Sequence, residues 1–245
     1  MRYSKDKSTD AVDSRYPAKE GERTVYRFPR GTALLKVKEA GTHRWDILPF
    51  EAKLPAYNRR VTLGTFTFER TVLTHFRTGK DQIAILCPKT VNKPCPICEH
   101  FERIRWDKDY SEMTEQEKDV LFSLRPSERQ LFYVVDTMDR GAGVQLLEVS
   151  HNNFGKGLDS RLDDAKDDPD CKRYKWFYDL ADGLTVVAKF EEKKGRGFSF
   201  FECAKPDLKE RKVQYPEEFV DDLESLDDLL IVRSYAEIER MIHEE

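Results

Sequence analysis

Long apolar runs are missing from this sequence, in which no uninterrupted apolar stretch exceeds the five residues found in Leu131 to Val135. A helix needs roughly 20 apolar residues to cross a bilayer, so no segment predicts a transmembrane helix. The first residues, Met1-Arg2-Tyr3-Ser4-Lys5-Asp6-Lys7, also lack the apolar core of a signal peptide. We therefore expect a soluble protein that is not exported.

The sequence contains few cysteines, and their number, five, is odd. Three of the five cysteines fall within the twelve residues from Cys87 to Cys98. This count and spacing do not suit a disulfide framework, and the missing signal peptide favours a reducing compartment. The clustering points to metal binding, whereas Cys171 and Cys203 are expected to be free thiols.

Catalytic signatures are also absent, since neither a nucleotide-binding glycine motif nor a Ser-His-Asp pattern stands out. A composition of 39% hydrophobic and 36% charged residues excludes collagen, a coiled coil and a wholly disordered chain. The apolar content suffices for the core of one domain with appendages.

Charge is unevenly spread along the chain, although the net charge is only −4. From Pro216 to Glu245, eleven acidic residues stand against two basic ones, which leaves +5 for the rest of the chain. Between Asp159 and Asp170, six Asp stand against two basic residues, and we interpret this island as a polar loop. What remains carries +9. The pattern indicates a basic body with an acidic tail, which is either a solvated face or a functional segment.

Short β-branched and aromatic runs predict a mainly β (α+β) fold from Thr32 onward. Glycines in the Glu191 to Gly197 connection predict a hairpin between the last two strands. Many short strands with intruding helices favour a small barrel with insertions. The predicted strands are Leu34 to Val37, Trp45 to Leu48, Thr65 to Phe76, Gln82 to Leu86, Leu131 to Asp136, Val144 to Val149, Leu184 to Phe190 and Phe198 to Cys203.

Helices are fewer, and the polar residues Met1 to Gly21 are expected to form a flexible basic arm. A short helix begins at Pro96, which suits a first helical position. A second helix begins at the capping box of Thr114 and Glu117. The acidic tail, residues 216–245, is expected to contain helices at Glu217 to Leu230 and at Ser234 to Ile242.

His75, Cys87, Cys95 and Cys98 have the ligand types and spacing of a tetrahedral zinc site. The Cys-x2-Cys knuckle at the start of a helix directs two thiolates at one ion, while the other two ligands come from a preceding strand pair. His100 is the competing fourth ligand, but it would have to reach around its own helix turn. We expect one structural Zn²⁺.

A catalytic zinc is the alternative, because Pro94-Cys95-Pro96-Ile97-Cys98 matches half of the nucleobase deaminase signature. The other half is His-x-Glu, which His75-Phe76-Arg77 and His43-Arg44-Trp45 both lack. A fourth protein ligand at Cys87 would also close the position that an attacking water requires. We therefore expect no enzymatic activity.

Aromatic residues often lie beside Arg or Lys, as in Phe76-Arg77, Arg105-Trp106 and Arg173-Tyr174-Lys175-Trp176. A groove that binds unpaired nucleic acid needs this combination, with cations for the phosphates and flat rings for the bases. The alternative is that most of the rings fill a β-core. Single-stranded nucleic acid is therefore a candidate partner.

The sequence resembles the single-stranded DNA-binding protein family of T-even and related tailed phages, from about Lys5 to Pro216. The resemblance is carried by the His75, Cys87, Cys95 and Cys98 spacing, by Phe122-Ser123-Leu124-Arg125 ahead of the Leu131 strand, and by Gly197-Phe198-Ser199-Phe200-Phe201. It implies an OB-fold over residues 22–215 with an inserted zinc subdomain at about 70–125.

The resemblance also implies roles for particular residues. Phe198 and Phe201 match stacking aromatics, Phe122 stands where the family has Tyr, and Arg125 lies in the basic segment after it. Arg129 and Arg196 are expected near phosphates. Lys5-Asp6-Lys7-Ser8-Thr9 is similar to the family's arm for cooperative assembly, with Lys5 and Lys7 as its cations.

Three departures from the family pattern stand out. Glu128-Arg129 replaces a Tyr-Trp pair, and Asn92 or Lys93 replaces a Tyr before the knuckle, so fewer bases should stack. The tail is amphipathic rather than rich in Ser and Asp. We expect it to bind replication and recombination proteins through Leu229, Leu230, Ile231 and Ile238.

The resemblance thus implies a phage protein of the bacterial host cytoplasm that coats single-stranded DNA, without sequence specificity, during replication, recombination and repair. Self-association on DNA would use the arm. The alternatives are a zinc-ribbon adaptor of the replication machinery that binds only proteins and, after it, the zinc-dependent nucleobase deaminase.

Overall fold

A computed structural model describes residues 25–28, 32–55, 57, 61–80, 82–195, 199–221 and 223–243, without the side chains at 77, 165, 167, 169, 170 and 243. Lys5, Lys7, Arg196, Phe198 and the predicted arm lie outside the described residues. No helix in the described ranges is long and apolar enough to cross a membrane.

The described chain is a mixed α+β protein dominated by sheet. Its strands are β1 (Ala33–Leu35), β2 (Gly41–Leu48), β3 (Phe50–Glu51), β4 (Phe66–Thr67), β5 (Arg70–Thr78), β6 (Ile83–Leu86), β7 (Ser127–Asp136), β8 (Val144–Ser150), β9 (Leu184–Lys194), β10 (Ser199–Glu202) and β11 (Asp207–Glu210). Its α-helices are α1 (Pro96–Asp107), α2 (Glu115–Leu124), α3 (Lys156–Asp167), α4 (Glu218–Asp221) and α5 (Tyr235–His243).

The chain divides into two compact units. The metal unit comprises Met1–Thr32, Val72–Ser127 and Leu229–Glu245, and it contains the β5–β6 hairpin with α1, α2 and α5. The sheet unit comprises Ala33–Thr71 and Glu128–Asp228.

Strands in the sheet unit are ordered β1-β8-β7-β2-β9-β10, and β11 also pairs with β9. β1 runs parallel to β8, and the other pairs in this order are antiparallel. Among the described residues no pairing joins β1 to β10, so this sheet is not closed into a barrel. The expected sheet-dominated α+β class is confirmed, whereas the OB-fold stays a prediction.

Alternation along β9 builds one side of the sheet core. Val186, Ala188 and Phe190 are buried, whereas Lys189 between them is exposed, as the period-2 pattern predicts. The buried face packs with Trp45 and Phe154. β9 then continues to Lys194, which pairs with Ser199, so Glu191 to Lys194 of the predicted connection belong to the strand.

The acidic island from Asp159 to Asp170 is not the polar loop expected from the sequence, because α3 occupies most of it. Leu158 and Leu162, four residues apart, pack against the sheet core and give the helix an apolar stripe. Arg161–Asp164 and Lys166–Asp163 are ion pairs at helical spacing, which offset the acidic repulsion.

The predicted helix from Glu217 to Leu230 is wrong apart from the single turn α4. Beyond that turn, Ser225 Oγ donates to the carbonyl of Glu51 at 2.6 Å. Asp227 Oδ2 accepts from the amides of Lys53 and Leu54 at 2.7 and 2.9 Å. These long-range bonds hold the segment in a conformation that local propensity does not favour.

The second tail helix is confirmed as α5. Ser234 Oγ accepts from the amide of Glu237 at 3.3 Å, and Glu237 Oε2 accepts from the amide of Ser234 at 2.7 Å. This reciprocal capping box fixes the N-terminus of α5 at the predicted residue.

Candidate metal centre and nucleic-acid contacts

The fold brings together the four predicted ligands His75, Cys87, Cys95 and Cys98. One ligand atom from each lies within 4.8 Å of all the others, and all four side chains are buried. The competing ligand His100 is exposed and lies outside this group. The four residues can hold a metal ion.

Three of the six distances among the ligand atoms are close to the edges of a metal-centred tetrahedron. Cys87 Sγ and Cys98 Sγ are 3.6 Å apart, and His75 Nε2 lies 3.4 Å from Cys95 Sγ and 3.6 Å from Cys98 Sγ. Metal–ligand bonds of about 2.3 Å to sulfur and 2.0 Å to nitrogen give tetrahedral edges of about 3.8 and 3.5 Å. The group is therefore compact enough to hold one ion.

Local sequence explains how the ligands reach this geometry. Cys87 precedes Pro88, which starts a 3₁₀ turn, and Cys95 is the N-cap of α1, whose first residue is Pro96. Proline at these first positions fixes φ and needs no backbone donor, so each turn begins directly after a cysteine. The amide of Cys87 donates to the carbonyl of Leu73 on β5 at 2.8 Å, which ties the turn to the strand that carries His75.

The ring of His75 is oriented by a backbone group. Its Nδ1 lies 3.0 Å from the carbonyl oxygen of Leu124, the last residue of α2. A carbonyl can only accept, so Nδ1–H donates and Nε2 is left with its lone pair toward the sulfurs. Outer hydrogen bonds of this kind fix the tautomer of metal-ligating histidines.

Three thiols in one buried group need a cation in order to ionise together. The neighbouring Cys95 and Cys98 thiols, and then burial, raise the pKa of Cys87 far above its ordinary value. A bound dication would supply the missing positive charge and hold all three as thiolates. With four protein ligands the group leaves no coordination position for a reacting water.

Phe122 and Arg125, two predicted DNA contacts, lie together at the C-terminal end of α2. Phe122 is 78% exposed, and Arg125 is the exposed C-cap, whose amide donates to the carbonyl of Phe122 at 3.3 Å. A ring and a cation three residues apart are thus both exposed to solvent at this helix end.

Arg129 and Phe201 belong to the sheet unit and are less accessible. Arg129 on β7 is half-buried and forms an ion pair with Glu148, with 3.0 Å between Nε and Oε1. Phe201 on β10 is half-buried and packs against the sheet core. A phosphate would have to compete for Arg129, and a base would reach only part of the Phe201 ring.

The four apolar tail residues pack within the chain itself. Leu229 and Ile238 are fully buried, and Leu230 and Ile231 are half-buried. Ile238 lies in one cluster with Cys87, Cys95 and Cys98, and Leu230 forms a β-bridge with Tyr26. Partner binding through these residues would require them to leave their present positions.

No protein-family model and no curated protein sequence matches this chain.

Two features of the sites escaped the sequence analysis. The carbonyl of Leu124 orients His75, and because a backbone group carries no sequence signal, no pattern indicates it. Trp106 and Tyr110 are 88% and 61% exposed, and Lys118 Nζ lies 5.4 Å from the Tyr110 ring centroid. The Arg105-Trp106 pair did show the combination of an aromatic residue beside a cation. The sequence alone, however, does not distinguish an exposed ring from one in the core.

Proposed function

We propose that this protein binds single-stranded DNA without sequence preference and without catalysis, as a coating protein in phage DNA replication, recombination and repair. In this proposal the sheet unit is an OB-fold, and the metal unit holds one structural Zn²⁺. Both parts supply aromatic rings and cations to the strand.

The observation that carries the proposal is the pair Phe122 and Arg125 at the end of α2. The ring offers a flat face for a base and the guanidinium a partner for a phosphate, which is the combination that single-strand binding uses. Because His75 donates to the Leu124 carbonyl between them, the metal ligand also fixes their position. The acidic residues Glu115 and Asp119 lie earlier in α2, so the contact is assigned to its last turn.

The ligand set supports zinc as the metal. Three thiolates and one imidazole are soft or borderline donors, and tetrahedral sites of this composition suit Zn²⁺. Burial of all four side chains supports a structural role and disfavours the deaminase alternative, which requires an open position for water. When bound, the zinc would stabilise the local fold.

Partners other than DNA belong to the same proposal. Lys5 and Lys7 would mediate self-association on DNA, and the acidic tail would bind replication and recombination proteins. Because Ile238 and Leu229 are buried, their exchange onto a partner would have to begin with undocking of α5. The adaptor alternative gains support if the tail binds a partner while the body binds no DNA.

A titration tests the proposal. Labelled single-stranded and duplex oligonucleotides are titrated with the full chain at two salt concentrations, and anisotropy reports binding. Single strands should bind more tightly, with affinity that falls as salt rises. Phe122→Ala should weaken binding about fivefold or more, because stacking contributes about 1 to 3 kcal/mol per base.

Val120→Ala is the matched control, since Val120 is 52% exposed on the same helix. It should bind like the wild type. Equal affinity for duplex, or an affinity that does not respond to salt, would overturn the proposal.

A further inference from the structure

The 3₁₀ helix Pro169–Trp176 in the sheet unit divides its residues among three faces. A 3₁₀ helix has three residues per turn, so side chains three positions apart lie directly above one another. Lys172 therefore shares a face with Lys175, and Arg173 shares a face with Trp176. Tyr174 lies on the third face.

The third face holds the helix on the protein. Tyr174 is half-buried against the sheet core, and Phe177, the next residue on that face, is completely buried. Bonds to neighbouring backbone fix the end of the helix: Leu184 N donates to Phe177 O at 2.7 Å, and Asp179 N donates to Trp176 O at 2.9 Å. The two remaining faces are held toward solvent by an ordered support.

These two faces carry three cations and an indole. Lys172, Arg173 and Lys175 are exposed, and Trp176 is 63% exposed. In the part of the chain that the structure describes, none of the three cations forms an ion pair. We name this set, Lys172, Arg173, Lys175 and Trp176, the cationic strip.

Two acidic side chains of α3 have basic partners. Asp163 pairs with Lys166 at 2.7 Å, and Asp164 pairs with Arg161 at 3.2 Å and with Lys205 at 3.1 Å. These pairs reduce the repulsion that α3 would exert on an anionic ligand. Because the three cations of the strip form no ion pair in the described residues, they can pair with the phosphates of an external partner.

We propose that the cationic strip is a second contact surface for single-stranded DNA, on the sheet unit, in which Trp176 stacks on a base. Lys172, Arg173 and Lys175 neutralise phosphates on either side of that base. An exposed ring with adjacent cations at fixed spacing binds unpaired strands, because stacked bases in a duplex do not present their faces. This inference rests on the proposed function and adds its contact residues on the sheet unit.

Tryptophan fluorescence tests the stacking directly. Trp45 is completely buried, so in a Trp106→Phe background Trp176 is the exposed indole. Titration with oligo-dT should quench and shift its emission. Trp176→Ala should weaken binding on the order of tenfold, and Trp176→Phe should retain most of the affinity because it keeps a ring.

Salt dependence tests the cations. Replacement of Lys172, Arg173 and Lys175 by Ala should lower the slope of log affinity against log salt by about 0.7 per lost phosphate contact, or about 2 in total. The matched control replaces three exposed lysines elsewhere on the sheet unit, Lys38, Lys156 and Lys212, and should leave the slope near that of the wild type.

The outcomes separate the two proposals. If the wild type fails to bind oligo-dT, the proposed function fails and the strip with it. If the wild type binds, but Trp176→Ala and the triple variant keep its affinity and salt slope, the strip is wrong and the proposed function stands. Circular dichroism of each variant verifies that the fold is retained.

Discussion

The carboxylate of Asp227 and the guanidinium of Arg70 form a buried ion pair. Arg70 Nε and Asp227 Oδ1 are 3.0 Å apart, and the two side chains are 3% and 1% exposed. One carboxylate of the acidic tail is thus buried inside the sheet unit. This carboxylate also accepts hydrogen bonds from the loop after β3 and fixes its position. Loss of the chain beyond Tyr215 would remove this carboxylate together with the buried Leu226 and Ile238.

Asp227→Asn should lower the free energy of unfolding by about 3 to 5 kcal/mol, because it removes the charge that faces a buried guanidinium. Urea denaturation monitored by circular dichroism measures the change. Asp228→Asn is the control, since Asp228 pairs with Lys53 at the surface, where solvent screens the pair, and its loss should cost much less. Equal losses for the two variants would contradict this account of the tail.

Elemental analysis should find one zinc per chain. Cys95→Ser should reduce the metal content, whereas Cys171→Ser, outside the ligand group, should leave it unchanged. Chelation should increase amide exchange from Cys87 to Arg105 and in α5, because metal binding and local folding are coupled. A metal-free protein with the same exchange protection as the purified protein would argue against a structural metal.

Gly79→Ala should destabilise the metal unit. Gly79 has φ +65°, and an added Cβ would overlap the carbonyl oxygen of Met241 on α5. Gly64 has a similar φ of +77°, and an added Cβ there would meet only Glu51 Oε1 at an ordinary contact distance of 3.9 Å, so Gly64→Ala should cost only the conformational strain of about 1 to 2 kcal/mol. Thermal denaturation should show a larger loss for Gly79→Ala, and equal losses would mean that α5 is not closely packed there.

The carboxyl group of Glu117, in the α2 capping box, should titrate at an unusually low pH. A hydrogen bond from Lys108 and bonds from Thr114 lower the pKa of Glu117 to about 2. The unfolded value is about 4.3, so this stabilisation is present above that pH and is lost as the pH falls toward 2. NMR titration of the Glu117 carboxyl should show this midpoint, and Lys108→Met should raise it; a wild-type midpoint near 4.3 would contradict the geometry.

Local patterns in the sequence were sufficient for several elements. The eight predicted strand regions all contain strand, although Thr65 to Phe76 is split into β4 and β5. The capping boxes at Thr114 and Ser234 define helix starts through neighbours three residues away. These predictions depend only on interactions between residues close in the chain.

The sequence by itself determined the alternation of β9, the helix caps and the four candidate metal ligands, because side-chain chemistry and short spacing specify them. Only the tertiary structure decided that Asp227 pairs with Arg70 rather than continuing a helix, since that carboxylate gains partners distant in sequence. It also decided which apolar residues are covered. Ile238 packs against the cysteines, whereas Trp176 remains exposed, because burial depends on which faces meet when the chain folds.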